Sequence, residues 1–309
     1  MPAGQGDQAD GSDAAPVPAV SGRTTIHERR LDAELAGLDA LELADAGRPS
    51  RSRRLWTAAW PKAAAVGIAL ALWQAVVASG GRPEFVLPPP TTVWGALVEQ
   101  AEKCTLWTAL GVTMRRAAVG FTMALIIGVV VGAAVSQVRL LRAAVGSFIT
   151  GLQTMPSIAW FPLAVLLFKK SEAAMYFVVV LGAAPSIANG LIAGVDTLPP
   201  LLVRAGRTMG ARGHRLLRHV VLPGALPSFL GGIKQGWAFA WRSLMAGELI
   251  VIIANSRSIG ERLEQSRQLS DSPTLIAYML VILLIGILLD ALVFGAAERR
   301  IQRRWGLRT

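Results

Sequence analysis

The chain has 309 residues, 53% of them hydrophobic and 31 of them glycine, more apolar sequence than a soluble domain of this length can bury, so a bilayer is its expected solvent. The formal charge of +11 could suggest nucleic acid, but the basic residues sit in short flanks beside apolar runs of about 20 residues, the pattern of cytoplasmic loops, and no nucleic-acid partner is expected. Cys104 is the only cysteine, which excludes an intramolecular disulfide and a thiolate metal cluster.

Residues 1–55 read as a cytoplasmic tail rich in Ala, Gly, Asp and Pro, without the apolar core or small-residue cleavage site of a secretory signal. Within it, Ile26, Leu31, Leu35, Leu38 and Leu41 fall near helical spacing and predict a short amphipathic helix in a partly disordered segment. The region 56–305 then supplies six stretches apolar and long enough to span a core of about 30 Å: 62–79, 111–135, 143–168, 173–194, 228–254 and 274–297. The expected class is therefore all-α, a polytopic membrane protein.

Orientation follows from the flanking charges. Lys and Arg before the first span, Arg139 and Arg142, five arginines between 204 and 218, and five more in the tail outnumber those of the opposite loops by roughly three to one. Both termini, including the last residues 306–309, are thus expected in the cytoplasm. In the first outer loop, Pro88, Pro89 and Pro90 force an extended entry, and Thr91 or Thr92 is placed to cap a surface helix. Pro156, Pro162 and Pro185 interrupt the third and fourth spans, so the kinks there should face protein or water, where freed carbonyls find partners.

Some chemistry is missing. No glycine precedes any lysine in the manner of a phosphate-binding loop, and no H-E-x-x-H occurs, so the chain by itself is expected to bind neither ATP nor a catalytic metal. His27, His214 and His219 all fall on the predicted cytoplasmic side, in exposed polar positions.

The loop 195–227 is the most informative segment. In "RAGRTMGARGHRLLRHVVLPGALP", Gly210 and Gly213 break helical propensity, Pro223 and Pro227 are expected to stop or redirect the chain, and Arg207, Arg215 and Arg218 lie among Leu216, Leu217, Val220 and Val221. The pattern predicts a short helix around 203–212, a turn, and a second helix returning to the bilayer. Here the sequence resembles the signature loop of ABC-importer permeases, E-A-A, three residues, Gly, about nine residues, an apolar residue, Leu and Pro. It stands as Arg204-Ala205-Gly206, Gly210 and Val221-Leu222-Pro223, with Arg204 in the usual acidic position.

The resemblance narrows to the sulfonate, nitrate and taurine branch through "VLPPPTTVW" (86–94), "GLQTMPSIAWFPLAVLLF" (151–168), "LGAAPSIANGLIAGV" (181–195) and "GWAFAWRSLMAGELI" (236–250). It implies a type I ABC-importer permease fold in the bacterial inner membrane, a second permease copy, a cytoplasmic ATPase dimer holding ATP and Mg, and an extracytoplasmic solute-binding protein. It also implies that Arg204, Ala205, Gly206, Arg207, Gly210, Leu222 and Pro223 belong to the ATPase-coupling element. The cargo implied is an aliphatic sulfonate, with nitrate, bicarbonate, taurine or a pyrimidine-type nutrient as alternatives. An ATP-independent transporter would need ion-coupling carboxylates in several spans or a repeated half.

The fifth span carries Lys234, Trp237, Trp241, Met245 and Glu248 at steps of three or four, hence on one helical stripe too polar for lipid. Arg242 lies beside it, and a charge at mid-membrane costs at least about 2.5 kcal/mol, so it should face the bundle interior, water or a counter-ion. Trp237, Trp241, Arg242, Glu248 and Asn189 are the candidates for a substrate path. Arg242 and Glu248 are about 120° apart around a helix and poorly placed to pair with each other. Lys234 could snorkel to the cytoplasmic surface, and Asn189, Gln153 and Thr154 are better suited to helix-to-helix hydrogen bonds.

Overall fold

The computed structural model describes residues 51–304, apart from 82, 84 and 254–256; the amphipathic tail helix and the C-terminal residues 306–309 lie outside the described part. Helix α1 (Arg51–Ala78) contains a 20-residue apolar span, Ala59–Ala78, whose Val66, Ile68 and Leu72 are exposed, as suits a helix solvated by hydrocarbon.

α2 (Pro90–Glu102) is the expected surface helix, but no threonine caps it. Pro89 occupies the N-cap in extended conformation and Pro90 the first turn, where its missing N–H costs no helical bond. Trp73 Nε1 donates to Pro88 O across 3.2 Å, tying this entry to the end of α1.

α3 (Thr105–Gln137) and α6 (Glu172–Asp196) are continuous spans. Between them the third apolar stretch is not one span. α4 (Arg139–Thr154) ends at Met155, which is extended, and a 3₁₀ turn, Ser157–Trp160, leads into α5 (Phe161–Phe168). Gly146–Thr154 and Ser157–Phe168 meet at 100°. The cause is local: Pro156 lacks a donor and drives Met155 out of the helical region, while Pro162 sits in the first turn of α5, where it is tolerated. Pro185, by contrast, lies inside α6 without ending it and is buried against protein, whereas Pro156 and Pro162 are exposed.

α7 (Pro200–Thr208) and a tight turn precede α8, which runs His214–Ile250. Pro223 and Pro227 do not stop it. A π turn at Leu217–Val221 comes first, with Leu222 N–H bonding to Leu217 O, and this looser turn makes room for the proline ring that follows. α9 (Ile259–Gln268) is short; α10 (Ser272–Leu289), a second π turn at Asp290–Phe294 and α11 (Gly295–Arg304) complete the chain. Among the described residues, five helices are long and apolar enough to cross a membrane, and the bent pair can be counted as a sixth.

The core lies where α3 and α8 clasp α6. Ala117, Ala124, Val179, Ala183, Ile187, Ala240 and Leu244 pack there with almost no exposed surface. In a bilayer, lipid is as apolar as leucine, so close approach of backbones drives such packing. Gly128 meets Ala184 and Ile187, and Gly190 meets Gly232 at backbone contact.

Candidate functional site: the loop, the broken span and a buried charge cluster

α7 is a short helix set against the start of α8. Gly206 is its buried residue, and a Cβ there would stand 2.9 Å from Val220 Cγ2 and 3.0 Å from Leu216 Cδ1. The helix closes in a Schellman motif: Ala211 N–H bonds to Gly206 O and Gly210 N–H to Arg207 O, each at 3.0 Å. This requires a left-handed residue, and Gly210 has φ +85° with open space around it, so its need for glycine is conformational. Gly213, at φ +52°, turns the chain into α8. Arg204, Ala205 and Arg207 point outward, together with Leu201, Leu202 and Met209, which is 87% exposed. Leu222 is exposed and Pro223 half-buried at the end of the π turn.

The stripe on α8 divides. Trp237 stacks on Trp241 at 6.2 Å and meets Phe121 edge-on at 5.1 Å, and Trp241 and Met245 are buried in the core of the chain. Lys234 reaches Asp290 of the second π turn, Nζ to Oδ2 3.3 Å, rather than extending to the surface alone. Arg242 turns away from the core. It is exposed, its Nε donates to Ala238 O, and its guanidinium lies 4.7 Å from the Phe239 ring centre. It lines a cleft of about 290 Å³ with Gln153, Thr154, Pro156, Ser157 and Phe239, at the break in the third span, and on its other side a wider cleft of about 660 Å³ with Trp241, Met279 and Asp290.

Polar side chains fasten the break. Asn189 Nδ2 donates to Gln153 Oε1 at 2.7 Å, and Gln153 Nε2 to Ser186 Oγ at 2.9 Å, which joins α6 to α4. Thr154 instead bonds to Gly151 O of its own helix.

Glu248 has different surroundings from Arg242. Its side chain has no exposed surface, its Oε1 accepts from Arg116 Nη1 at 3.2 Å, and Thr113 Oγ1 lies within 3.1 Å of both carboxylate oxygens. Gly260 N–H completes the set on Oε2 at 3.1 Å. Arg116 Nε also reaches Glu172 Oε1 at 3.0 Å, where Arg115 and Tyr176 converge. Thr113, Arg115, Arg116 and Glu172 were not singled out by the sequence reading. The signal was present in "TMRR", two arginines inside an apolar helix, since charges there require partners on other helices. Among the described residues no group of His, Cys, Asp and Glu could hold a metal ion.

A small-residue helical core, a broken span and an exposed basic loop helix held on the longest span define a polytopic transport protein of the importer-permease type. The chain belongs to the family described as binding-protein-dependent transport system inner membrane component, which matches residues 124–304. It is 29% identical to the taurine transport system permease protein TauC of Escherichia coli K12, over 81% of this chain and 94% of that one. It is 30% identical to the riboflavin transport system permease protein RibX of Chloroflexus aurantiacus, over 82% and 94%. The SsuC chain of Bacillus subtilis 168, a candidate aliphatic sulfonates permease, is 26% identical over 85% and 94%. Among solved structures, an inward-facing form of the MetNI methionine ABC transporter shares the fold, with TM-score 0.55 and 21% identity over 64% of this chain and 96% of that one. The protein is thus a multi-pass inner-membrane permease component of an ABC importer, and a transport subunit rather than an enzyme.

Proposed function

We propose that the chain moves a small anion, most simply an aliphatic sulfonate, inward by alternating access, as one of two identical permeases served by an ATPase dimer and an extracytoplasmic binding protein. ATP and Mg belong to the ATPase. Both termini and α7 face the cytoplasm, in keeping with the arginines at 204–218 and beyond 298.

The observation that carries this reading is α7 itself. It is rigidly closed at Gly210, seated by Gly206, and presents Leu201, Leu202 and Met209 away from the bundle. An apolar patch rimmed by arginines on a loop helix suits a protein partner. Arg242 supports the remainder: a guanidinium in the interior of a span, exposed on the single chain, is too costly against lipid and fits a wet path shared with a second copy. Its planar fork matches two oxygens of a sulfonate.

The test is reconstitution of the permease with its ATPase and binding protein in proteoliposomes. Labelled sulfonate should accumulate only with ATP. Leu201→Asp combined with Met209→Asp should insert normally but lose the ATPase on co-purification; retention of the ATPase would refute the assignment of α7.

A further inference from the structure

The N-terminus of α9 is closed by two groups from other helices and by its own N-cap, Ser258. Ile259 N–H donates to Thr113 Oγ1 of α3 at 3.0 Å, Gly260 N–H to Glu248 Oε2 of α8, and Glu261 N–H to Ser258 Oγ. A helix start leaves several N–H groups free and carries partial positive charge, so a carboxylate supplied there is a strong, directed attachment. Gly260 is required by the same contact, because a Cβ on it would overlap the Cβ of Glu248. Ile259 is buried next to Leu106, Ala109 and Tyr278, with Leu263 packed against them, so α9 is held by packing as well as by charge.

Behind Glu248, Arg116 supplies the counter-charge and passes the chain of contacts to Glu172 at the first turn of α6. Arg116 Nη2 is buried without a hydrogen-bond partner among the described residues. A buried ion pair is a poor means of gaining stability, since apolar side chains of similar volume often serve as well. What it supplies here is position: one carboxylate at the end of α8 holds three partners, Arg116 and Thr113 of α3 and Gly260 of α9, so α8 cannot shift relative to α9 without breaking the Gly260 contact. α8 is a helix of 37 residues, about 55 Å long, and its other end carries the seat of α7.

The geometry points to Glu248 as a positioning residue that fastens α9 to α8, so that a load on α9 at the outer surface moves the helix on which α7 is seated. This rests on the proposed function, which puts α9 outside and α7 against the ATPase. Two readouts separate the two ideas. The first is hydrogen exchange at Ile259 and Gly260 in the permease alone, in nanodiscs; the second is the ratio of binding-protein-stimulated to unstimulated ATP hydrolysis in the full complex.

Glu248→Gln keeps the shape but removes the charge. Exchange at Ile259 and Gly260 should rise at least tenfold, and the stimulation ratio should fall at least tenfold. Because the single variant removes one of the two carboxylates that Arg116 meets and leaves only Glu172, the double variant Glu248→Gln with Arg116→Met is made alongside; it should fold as the parent does and show the same two losses. Unchanged exchange, or fast exchange with full stimulation, would overturn the inference. So would recovery of stimulation in the double variant, which would show that the pair merely neutralises itself. A parent complex with slow exchange but no stimulation would instead overturn the importer reading, and the coupling with it.

Discussion

Gly190 of α6 and Gly232 of α8 face each other with no room for a side chain: a Cβ on Gly190 would stand 2.5 Å from the Gly232 Cα. Both helices would have to separate to admit a methyl group. Gly190→Ala should therefore lower the stability of the purified permease by about 1–3 kcal/mol, the usual cost of overpacking, seen as a lower midpoint in thermal unfolding in detergent. Gly231→Ala, one residue away with nothing within 4 Å of its Cβ position, is the control and should change the midpoint little.

Gly210→Val is expected to act at a distance from any cargo. Its φ of +85° is strained for any side chain and more so for a β-branched one, at a cost of roughly 1–2 kcal/mol, and relief requires unwinding the Schellman turn. Insertion should be normal, with ATP-driven uptake in proteoliposomes reduced at least tenfold and residual ATP hydrolysis no longer tied to uptake. Fully coupled uptake would show that the turn does not carry the contact.

Arg242→Gln should reduce uptake of a labelled sulfonate with the complex still assembled, because it keeps hydrogen-bonding capacity and deletes the charge beside the cleft at Ser157. Arg242→Lys should recover only part of the rate, since a point charge replaces a planar fork. Parental uptake by the Gln variant would remove Arg242 from the path.

Lys234 and Asp290 form a half-exposed pair at 3.3 Å. Such pairs contribute about 0–1 kcal/mol, so Asp290→Asn should shift the unfolding midpoint only slightly. A change in uptake without a change in the midpoint would place the second π turn among the moving parts.

Much of the architecture was legible in residue order. Span positions depend on runs of apolar residues, and the membrane allows few ways to satisfy the backbone, so five of the spans appear where hydropathy put them. The loop helix was legible because Gly210 and Gly213 have a local requirement for positive φ. The interruption of the third span at Pro156 was legible too, because proline acts on its own neighbours, although its angle of 100° was not. Two local expectations failed: Pro223 does not end α8, because the π turn before it absorbs the ring, and α2 is opened by Pro90 rather than capped by threonine.

The sequence by itself determined the class of solvent, the number and rough limits of the apolar segments, the charge asymmetry of the loops and the backbone needs of the turn at Gly210, because each depends on neighbours within one or two helical turns. Only the tertiary structure decided which face of α8 each polar residue takes. Trp237, Trp241 and Glu248 share a stripe in sequence, yet Trp241 and Glu248 are buried in the chain while Arg242, a single residue further on from Trp241, is exposed at a cleft. The difference lies in partners far away in the chain: Arg116, Thr113 and Gly260 close around Glu248 from two other segments, and helical periodicity carries no information about them.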